Sequence, residues 1–431
     1  MEHKRFFLIS ADAMVYEDLE YASSLPAFRY LLENGSMVKR VRSIYPTLTY
    51  PCHTTMLSGC WPDKHGITNN TVDLAGIRNL PWNFYHDDVR VADLMDVCKA
   101  AGYTTGSVGW PVSGRHKSID YLVDEIWSIP QINDLDTAVR DLRRLLLDAG
   151  TSEEVLRSCA EEYLPLRVFK KMPDTAWFST KTCTEMIRRY KPEVLTLHIG
   201  QIDRYRHLYG VFGPHIRKGL DETNEMLLTL FDALKEAGVW EKTNIVLTAD
   251  HGQINTDRSV NVNVLLREAG LIRTDVADKV LDWDAWCFSC GASAQVALRD
   301  PADHGLYQKV YDLLYARLKQ GDAGYSVIYE KDEFRKEHLD GNFSFVLETD
   351  GHSAFGVDWM GAYFVPKVMG KHGYHPDKAP RPTIICCGPD FRKGVTLEGA
   401  NLVDGAPTWA SLLGLKLPDG DGRVLKELIA I

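Results

Sequence analysis

The sequence predicts an α/β fold, with a mostly parallel central sheet between layers of helices, a helical cap insertion and a smaller α+β subdomain. Two observations predict it. Short apolar, β-branched runs alternate with stretches of helical periodicity, and chemistry-bearing residues recur just after those runs, where strands of such sheets end. Strands are expected at Phe6–Ser10, Val38–Ile44, Thr104–Gly109, Val194–Ile199, Asn244–Thr248 and Pro382–Cys387. Helices are expected at Val91–Ala101, His215–Ala237, Val262–Ala269 and Ala302–Gln320. In the longest, Leu220, Met226, Leu227, Leu230 and Leu234 fall near helical spacing, and Gly238 stops it.

Two stretches read differently. From about Pro111 to Arg189 the chain is charged and helix-rich (Leu135–Leu147, Ser152–Tyr163, Asp174–Tyr190), with no strong strand, as a cap would be. From about Leu271 to Val346 strand-like and helical pieces mix. The expected division is a core of residues 1–110, 190–270 and 347–431, a cap of residues 111–189 and a subdomain of residues 271–346.

Bulk properties exclude several function classes. The 431 residues are 45% apolar and 25% charged, ordinary for an enzyme with a large core. The net charge is -10, and no Lys/Arg stripe with interleaved aromatics is present, which argues against binding a nucleic-acid polymer. Bound metal ions can still reverse the local field for an anionic substrate. The apolar run near the amino terminus is too short for a signal-peptide core, and Asp12 interrupts it. No run approaches the roughly 18 apolar residues of a membrane span. Among nine cysteines only Cys287-x-x-Cys290 is closely spaced, and no second pair completes a metal knuckle. A cytoplasmic protein with free thiols is expected, without membrane attachment.

The run from Ser43 to Asn70 is the most informative. It sets Thr49 on what reads as a short Pro-bounded turn and ends in a paired amide. Elsewhere the chain supplies Asp12 after the first strand, Asp203-x-x-x-His207, Asp250-His251-Gly252 and His372-Gly-Tyr. Carboxylate oxygen and imidazole nitrogen are zinc ligands, and the same shell suits manganese or iron. Two such ions about 3.5–4 Å apart can clamp the attacking and leaving oxygens of an in-line displacement. A threonine hydroxyl is a poor nucleophile at neutral pH unless something of this kind activates it.

These residues resemble the type I phosphodiesterase/nucleotide pyrophosphatase family of the alkaline phosphatase superfamily. Its hallmark appears as Pro46-Thr-Leu-Thr49-Tyr-Pro-Cys-His53, followed by Gly59, Pro62, His65-Gly66 and Asn70. Val108-Gly-Trp-Pro111 and Asp404-Gly-Ala-Pro-Thr408 also look like family segments. The resemblance implies an alkaline-phosphatase-like three-layer sandwich and two zinc ions. One would be held by Asp203, His207 and His372, the other by Asp12, Thr49, Asp250 and His251. It implies attack by Thr49 to give a phospho-threonine. Asn70 and the Thr49 amide would donate to a phosphoryl oxygen, and Tyr50 would stack on a base. The substrate would be a small-molecule phosphate ester or phosphonate.

Other readings stand beside these. Thr47 is the alternative nucleophile and reads as a turn residue. His352, and less so His375, rival His372. His53 and His65 are expected to hydrogen-bond locally, His198 to be a satisfied core histidine, and Arg204, Arg206, Arg217 and Lys218 to form a solvated face. Within the hydrolases, a phosphonoacetate-type hydrolase would add lysines such as Lys117, Lys170 or Lys171, and a monoesterase would add a cation for a third charged oxygen. Cys52-His-Thr-Thr lacks the sulfatase motif, manganese mutases need more carboxylates, and a silent binding protein need not keep every ligand.

Overall fold

Every residue from Phe6 to Ala11 of the first strand, Arg5–Ala11, is buried, as in a sheet covered on both faces. Its side chains alternate between two hydrophobic clusters: Phe7, Ile9 and Ala11 enter one, Phe6 and Leu8 the other. That alternation defines a three-layer α/β sandwich. The computed structural model describes residues 3–126, 134–168, 173–378 and 380–430.

The central sheet has eight strands, in the order Thr396–Asn401, Gly35–Arg42, Ile384–Cys387, Thr243–Thr248, Arg5–Ala11, Val194–Ile199, Thr105–Val108 and Tyr121–Val123. All run parallel except Ile384–Cys387, which opposes both neighbours. The helices Leu135–Asp148, Asp174–Tyr190 and Pro214–Glu236 cover one face through residues such as Leu142, Met186 and Leu227. The helices Thr49–Ser58, Leu94–Ala100 and Gly405–Leu412 cover the other through Met56, Leu94 and Trp409.

A second sheet of four antiparallel strands, Ala285–Ser289, Ser293–Leu298, Phe345–Thr349 and Tyr325–Glu330, packs with the helix His304–Lys319 around its own cluster. A third sheet joins Ser353–Phe355, Ile254–Val260 and Phe364–Lys371 and delivers His372 directly after its last strand.

Three local readings are corrected. Residues 111–189 do contain a strand, Tyr121–Val123, which extends the central sheet; its three residues were too few to show as a run. The single helix expected over Ser152–Tyr163 breaks into Glu153–Val155, a π turn over Leu156–Ala160 and a 3₁₀ turn over Glu161–Tyr163. Thr49 lies on no turn but opens the helix Thr49–Ser58. Pro51 stands third there, where an N–H has no intrahelical partner to lose. Gly59, at φ 67°, ends the helix in the left-handed region that glycine tolerates.

Candidate active site

Three adjacent strands of the central sheet bring the carboxylates together. Asp12 follows Arg5–Ala11, and its amide donates to Ile199 O at 3.0 Å. Asp250 and His251 follow Thr243–Thr248 on one side. On the other, Val194–Ile199 leads into the helix Gln201–Tyr209, where Asp203 and His207 stand one turn apart on one face.

Two groups of donor atoms result. Asp203, His207 and His372 each offer an atom within 4.8 Å of the others, and Asp12, Asp203 and His251 do the same. His207 Nε2 lies 3.3 Å from Asp203 Oδ1, and His372 Nε2 lies 3.8 Å from it. Both rings are oriented from behind. His207 Nδ1 donates to Gly370 O at 2.8 Å and His372 Nδ1 to Thr47 O at 3.1 Å, leaving each Nε2 as the free ligand atom.

Around His251 the second group tightens. Its Nε2 is 3.1 Å from Asp250 Oδ2, 3.6 Å from Asp12 Oδ1 and 3.1 Å from Thr49 Oγ1. Asp12 Oδ1 and Asp250 Oδ2 are buried without a hydrogen-bond partner. Burial, reinforced by the Asp203 charge, pushes the Asp12 carboxyl up to about 7. Burial and then Asp12 push Asp250 well above the carboxylate range. Two buried carboxyl oxygens without a hydrogen-bond partner, converging on one imidazole, suit a divalent metal that would take the place of the proton burial otherwise keeps there.

The imidazoles suit that task, because burial keeps His251 far below its usual value and lowers His372 to about 3, so both stay neutral. Burial opposes ionisation of Asp203, but the adjacent His207 outweighs it by charge and hydrogen bond and holds the carboxyl below the usual range.

The hydroxyl and amide complete the site. Thr49 is 8% exposed at the helix start, its Oγ1 turned to His251. Asn70 Oδ1 accepts from the Tyr50 amide at 2.9 Å, which leaves the Asn70 side-chain NH₂ free to donate. Both line a cavity of about 290 Å³ with Tyr50, Trp82, Arg204, Asp12, Asp203, His207 and His372.

Several expectations are met and several corrected. Thr47 is held as a turn residue, its hydroxyl bridging Gly373 N and Tyr374 O. His53 bonds Thr49 O and Ser10, and His65 bonds Thr55 and Ile67 N. Tyr50 has no free ring face: it is 1% exposed, packed on Trp82 at 5.1 Å and Phe84 at 6.2 Å between centroids. Half-buried Trp82 lines the same cavity and is the less enclosed of the two rings. His352 is 74% exposed beside Asp257 and lies off the cavity wall. His375 pairs with Glu337 instead. Lys117 is exposed outside the cavity lining, and Lys170 and Lys171 lie outside the described residues.

Arg206 is not solvated. It is fully buried, with Nη2 on both Asp18 oxygens at 2.7 and 2.6 Å. Arg204, Arg217 and Lys218 are exposed, and Arg204 alone of these lines the cavity.

Sequence reasoning missed three supports, namely the linking role of His198, Glu125 behind it, and Gln253. His198 is satisfied, as expected, but by two carboxylates: Nε2 meets Asp12 Oδ2 at 3.1 Å and Nδ1 meets Glu125 Oε1 at 3.0 Å. Gln253, fully buried, donates to both the backbone and the carboxylate of Asp203. Position carried a signal for two of the three: His198 ends a site-forming strand, and Gln253 adjoins the Asp250-His251-Gly252 triplet.

The family model described as type I phosphodiesterase/nucleotide pyrophosphatase matches residues 6–375. Human ectonucleotide pyrophosphatase/phosphodiesterase family member 5 is 21% identical over 434 residues, spanning 96% of this chain and 75% of that protein. The bis(5'-adenosyl)-triphosphatase ENPP4 of Bos taurus is 22% identical over 432 residues, 97% and 80% of the two chains. Among solved structures, human ENPP5 superposes with a TM-score of 0.69 at 18% identity, covering 99% of this chain and 100% of its own. Inactive murine ENPP5 in complex with AMP gives 0.66 at the same identity and coverage. These likenesses bear out the alkaline-phosphatase-like fold.

Proposed function

The chain belongs to the type I phosphodiesterase/nucleotide pyrophosphatase family, and on that premise we propose a two-metal hydrolase of phosphodiester or pyrophosphate bonds that works through phospho-Thr49. One observation carries the reading: the Thr49 hydroxyl meets the same imidazole nitrogen as two unpartnered, buried carboxylate oxygens. Asp203, His207 and His372 would hold one ion, and Asp12, Thr49, Asp250 and His251 the other. Zinc suits these donors, and manganese or iron would also fit. When bound, the ions supply Lewis-acid stabilisation of charge at phosphorus and ease ionisation of the hydroxyl.

The chain's own groups do the rest. Thr49 Oγ1 forms a bond to phosphorus as the bond to the leaving oxygen breaks, and water then cleaves the phospho-threonine to restore the hydroxyl. The Asn70 NH₂ and the Thr49 amide donate to an equatorial phosphoryl oxygen as charge develops. His198 and Gln253 keep Asp12 and Asp203 in place. Trp82, rather than Tyr50, offers a ring to an aromatic part of a small-molecule substrate. A phosphonate hydrolase gains nothing from the position of Lys117. A phosphomonoesterase is the second reading, because Arg204 puts a cation at the cavity for a third charged oxygen.

The domain division belongs to the same proposal. Residues 271–346 are supported as a subdomain by their separate cluster, whereas the helices within 111–189 share the core of the central sheet and so form a covering layer rather than a detached lid. No helix of the described residues is long and apolar enough to cross a membrane. Cytoplasmic placement is proposed from the nine cysteines, all buried and free.

The test is a rate comparison on zinc-reconstituted protein with bis(p-nitrophenyl) phosphate, p-nitrophenyl phosphate and phosphonoacetate, using Thr49→Ala as blank. Fastest turnover of the diester, abolished in Thr49→Ala with metal retained, supports the proposal. A monoester preference that disappears in Arg204→Ala selects the second reading, and undiminished Thr49→Ala activity removes phospho-Thr49.

A further inference from the structure

Away from the cavity, two histidines and two aspartates converge in a place the proposed chemistry does not use. His86, Asp93, Asp96 and His116 each offer a donor atom, all within 4.8 Å of one another. They come from three separate pieces of chain: the loop after Phe84, the short helix Leu94–Ala100 with its preceding residue, and the segment after Pro111. Asp93 is 3% and His116 5% exposed.

The local hydrogen bonds turn the converging atoms toward one another, with His116 Nε2 on Asp93 Oδ2. Asp93 Oδ1 is spent on the amides of Met95 and Asp96 at 2.8 and 3.1 Å. Its Oδ2 points the other way, 3.1 Å from His116 Nε2 and 3.6 Å from His86 Nε2. His86 Nε2 is buried and has no hydrogen-bond partner. The two imidazole rings approach to 3.7 Å between centroids, tilted 34°. Asp96 is steered by the Asp93 amide on Oδ2 and by Ser118 Oγ on Oδ1, and each oxygen keeps a lone pair.

We propose that His86, Asp93, Asp96 and His116 form a separate structural site for a divalent metal of the zinc type, which fastens the wall of the catalytic cavity to the body of the protein. Neutral imidazole and carboxylate in a two-plus-two set are zinc donors, and a set of four protein ligands is the closed, structural arrangement. Bonds of about 2.0–2.2 Å in a tetrahedron place ligand atoms about 3.3–3.6 Å apart. The two Asp93–imidazole separations straddle that range, so three of the four donors are nearly at metal spacing and Asp96 has only to close in. His116 Nδ1 accepts the Ser118 amide at 3.1 Å, so its ring proton sits on Nε2. Loading the site moves that proton to Nδ1 and gives up one backbone hydrogen bond in exchange for a metal ligand.

The consequence is mechanical. The loop that contributes His86 also carries Trp82, and it is held by hydrogen bonds and ring contacts spread along its length. His86 N donates to Gly114 O, Gly114 N donates to Phe84 O, and the Arg115 guanidinium lies 3.9 Å over the Tyr85 ring. A metal bridging His86 to Asp93 and His116 would cross-link that loop to two further pieces of chain at one point.

The experiment measures metal per chain by mass spectrometry after saturation with zinc and gel filtration. It compares the wild type, His86→Ala/His116→Ala and the shape-preserving Asp96→Asn. Each variant is expected to lose one equivalent relative to the wild type, whatever the catalytic cluster holds, and to unfold at a lower temperature only when zinc is supplied to both. In wild-type crystals an anomalous peak at the zinc edge is expected at these four side chains, which keeps the test decisive if the double variant fails to fold. Equal metal content in all three proteins, or zinc seen there only at crystal concentration, would overturn the proposal and leave a metal-free clasp of two imidazoles on Asp93.

Discussion

Asn70 offers the cleanest separation of catalysis from structure, because its two amide atoms have different employment. Oδ1 accepts the Tyr50 amide at 2.9 Å, while the NH₂ is free at the cavity. Asn70→Ala removes both. Asn70→Asp keeps an oxygen for Tyr50 and replaces only the donor, with an anion facing the phosphoryl oxygen. Loss of one preorganised donor to a developing oxyanion costs on the order of 10²–10³ in kcat, about 2.7–4 kcal/mol. The Tyr50 amide, if orphaned, costs stability of about 1–3 kcal/mol instead. The expected pattern is therefore a kcat lower by at least about 10² in both variants. KM should be little changed in Asn70→Ala, and only Asn70→Ala should lower the unfolding midpoint. The assay is steady-state hydrolysis of bis(p-nitrophenyl) phosphate with urea unfolding run in parallel. If Asn70→Asp kept wild-type kcat, the amide would have no part in the transition state, and its role would reduce to holding the start of the Thr49 helix.

Two further predictions concern the frame around the site. Arg206→Ala strands the Asp18 carboxylate, which is 4% exposed, and should destabilise the fold by about 3–5 kcal/mol in urea titrations; Asp18→Asn with Arg206→Met should recover most of it, and a loss below about 1 kcal/mol would show the pair to be dispensable. Burial pushes the Asp124 carboxyl up to about 8, so between about 4 and 8 the folded protein holds a proton that the unfolded chain has lost. The Asp124 contribution to wild-type stability is therefore full below about 4 and falls as pH rises through that window, by at most about 1.4 kcal/mol per unit, while Asp124→Asn escapes the loss. A difference between the two proteins that did not grow with pH would refute this.

The legible parts of this chain were those whose signal is local. The strand Val194–Ile199 and the helix Asp174–Tyr190 stand where the sequence placed them, because apolar runs and helical periodicity are properties of neighbouring residues. Tyr121–Val123 was invisible, since three residues acquire strand character only from the partner strand Thr105–Val108. The helix opening at Thr49 was hidden by Pro51, which signals a break in mid-helix but is harmless in a first turn. Tyr50 was misjudged for a related reason: adjacency to the nucleophile says nothing of which face its ring turns to, and Trp82, over thirty positions on, takes the cavity. Arg206 was misread, and the partners of His198 went unforeseen, because the carboxylates Asp18, Asp12 and Glu125 are far away in sequence.

The site is assembled from two kinds of support, and they divide its labour. The metal-type donors stand at the ends of three hydrogen-bonded strands and on a helix whose Asp203 is held by Gln253. The imidazoles of His207 and His372 are aimed by the backbone carbonyls of Gly370 and Thr47. Such anchoring fixes atoms to the tolerance that charge stabilisation demands. The opposite wall, with Asn70 and Trp82, comes from one loop held by dispersed contacts, among them the Thr71–Trp82 and Tyr85–Gly114 bridges and the packing of Trp82 and Phe84 on Tyr50. A loop of that kind can change length or side chains without moving a strand end. In the proposed reaction the metal-type donors are therefore set by the sheet, and the loop supplies Asn70 and Trp82. A fastening at His86, Asp93, Asp96 and His116 would act on the second without touching the first.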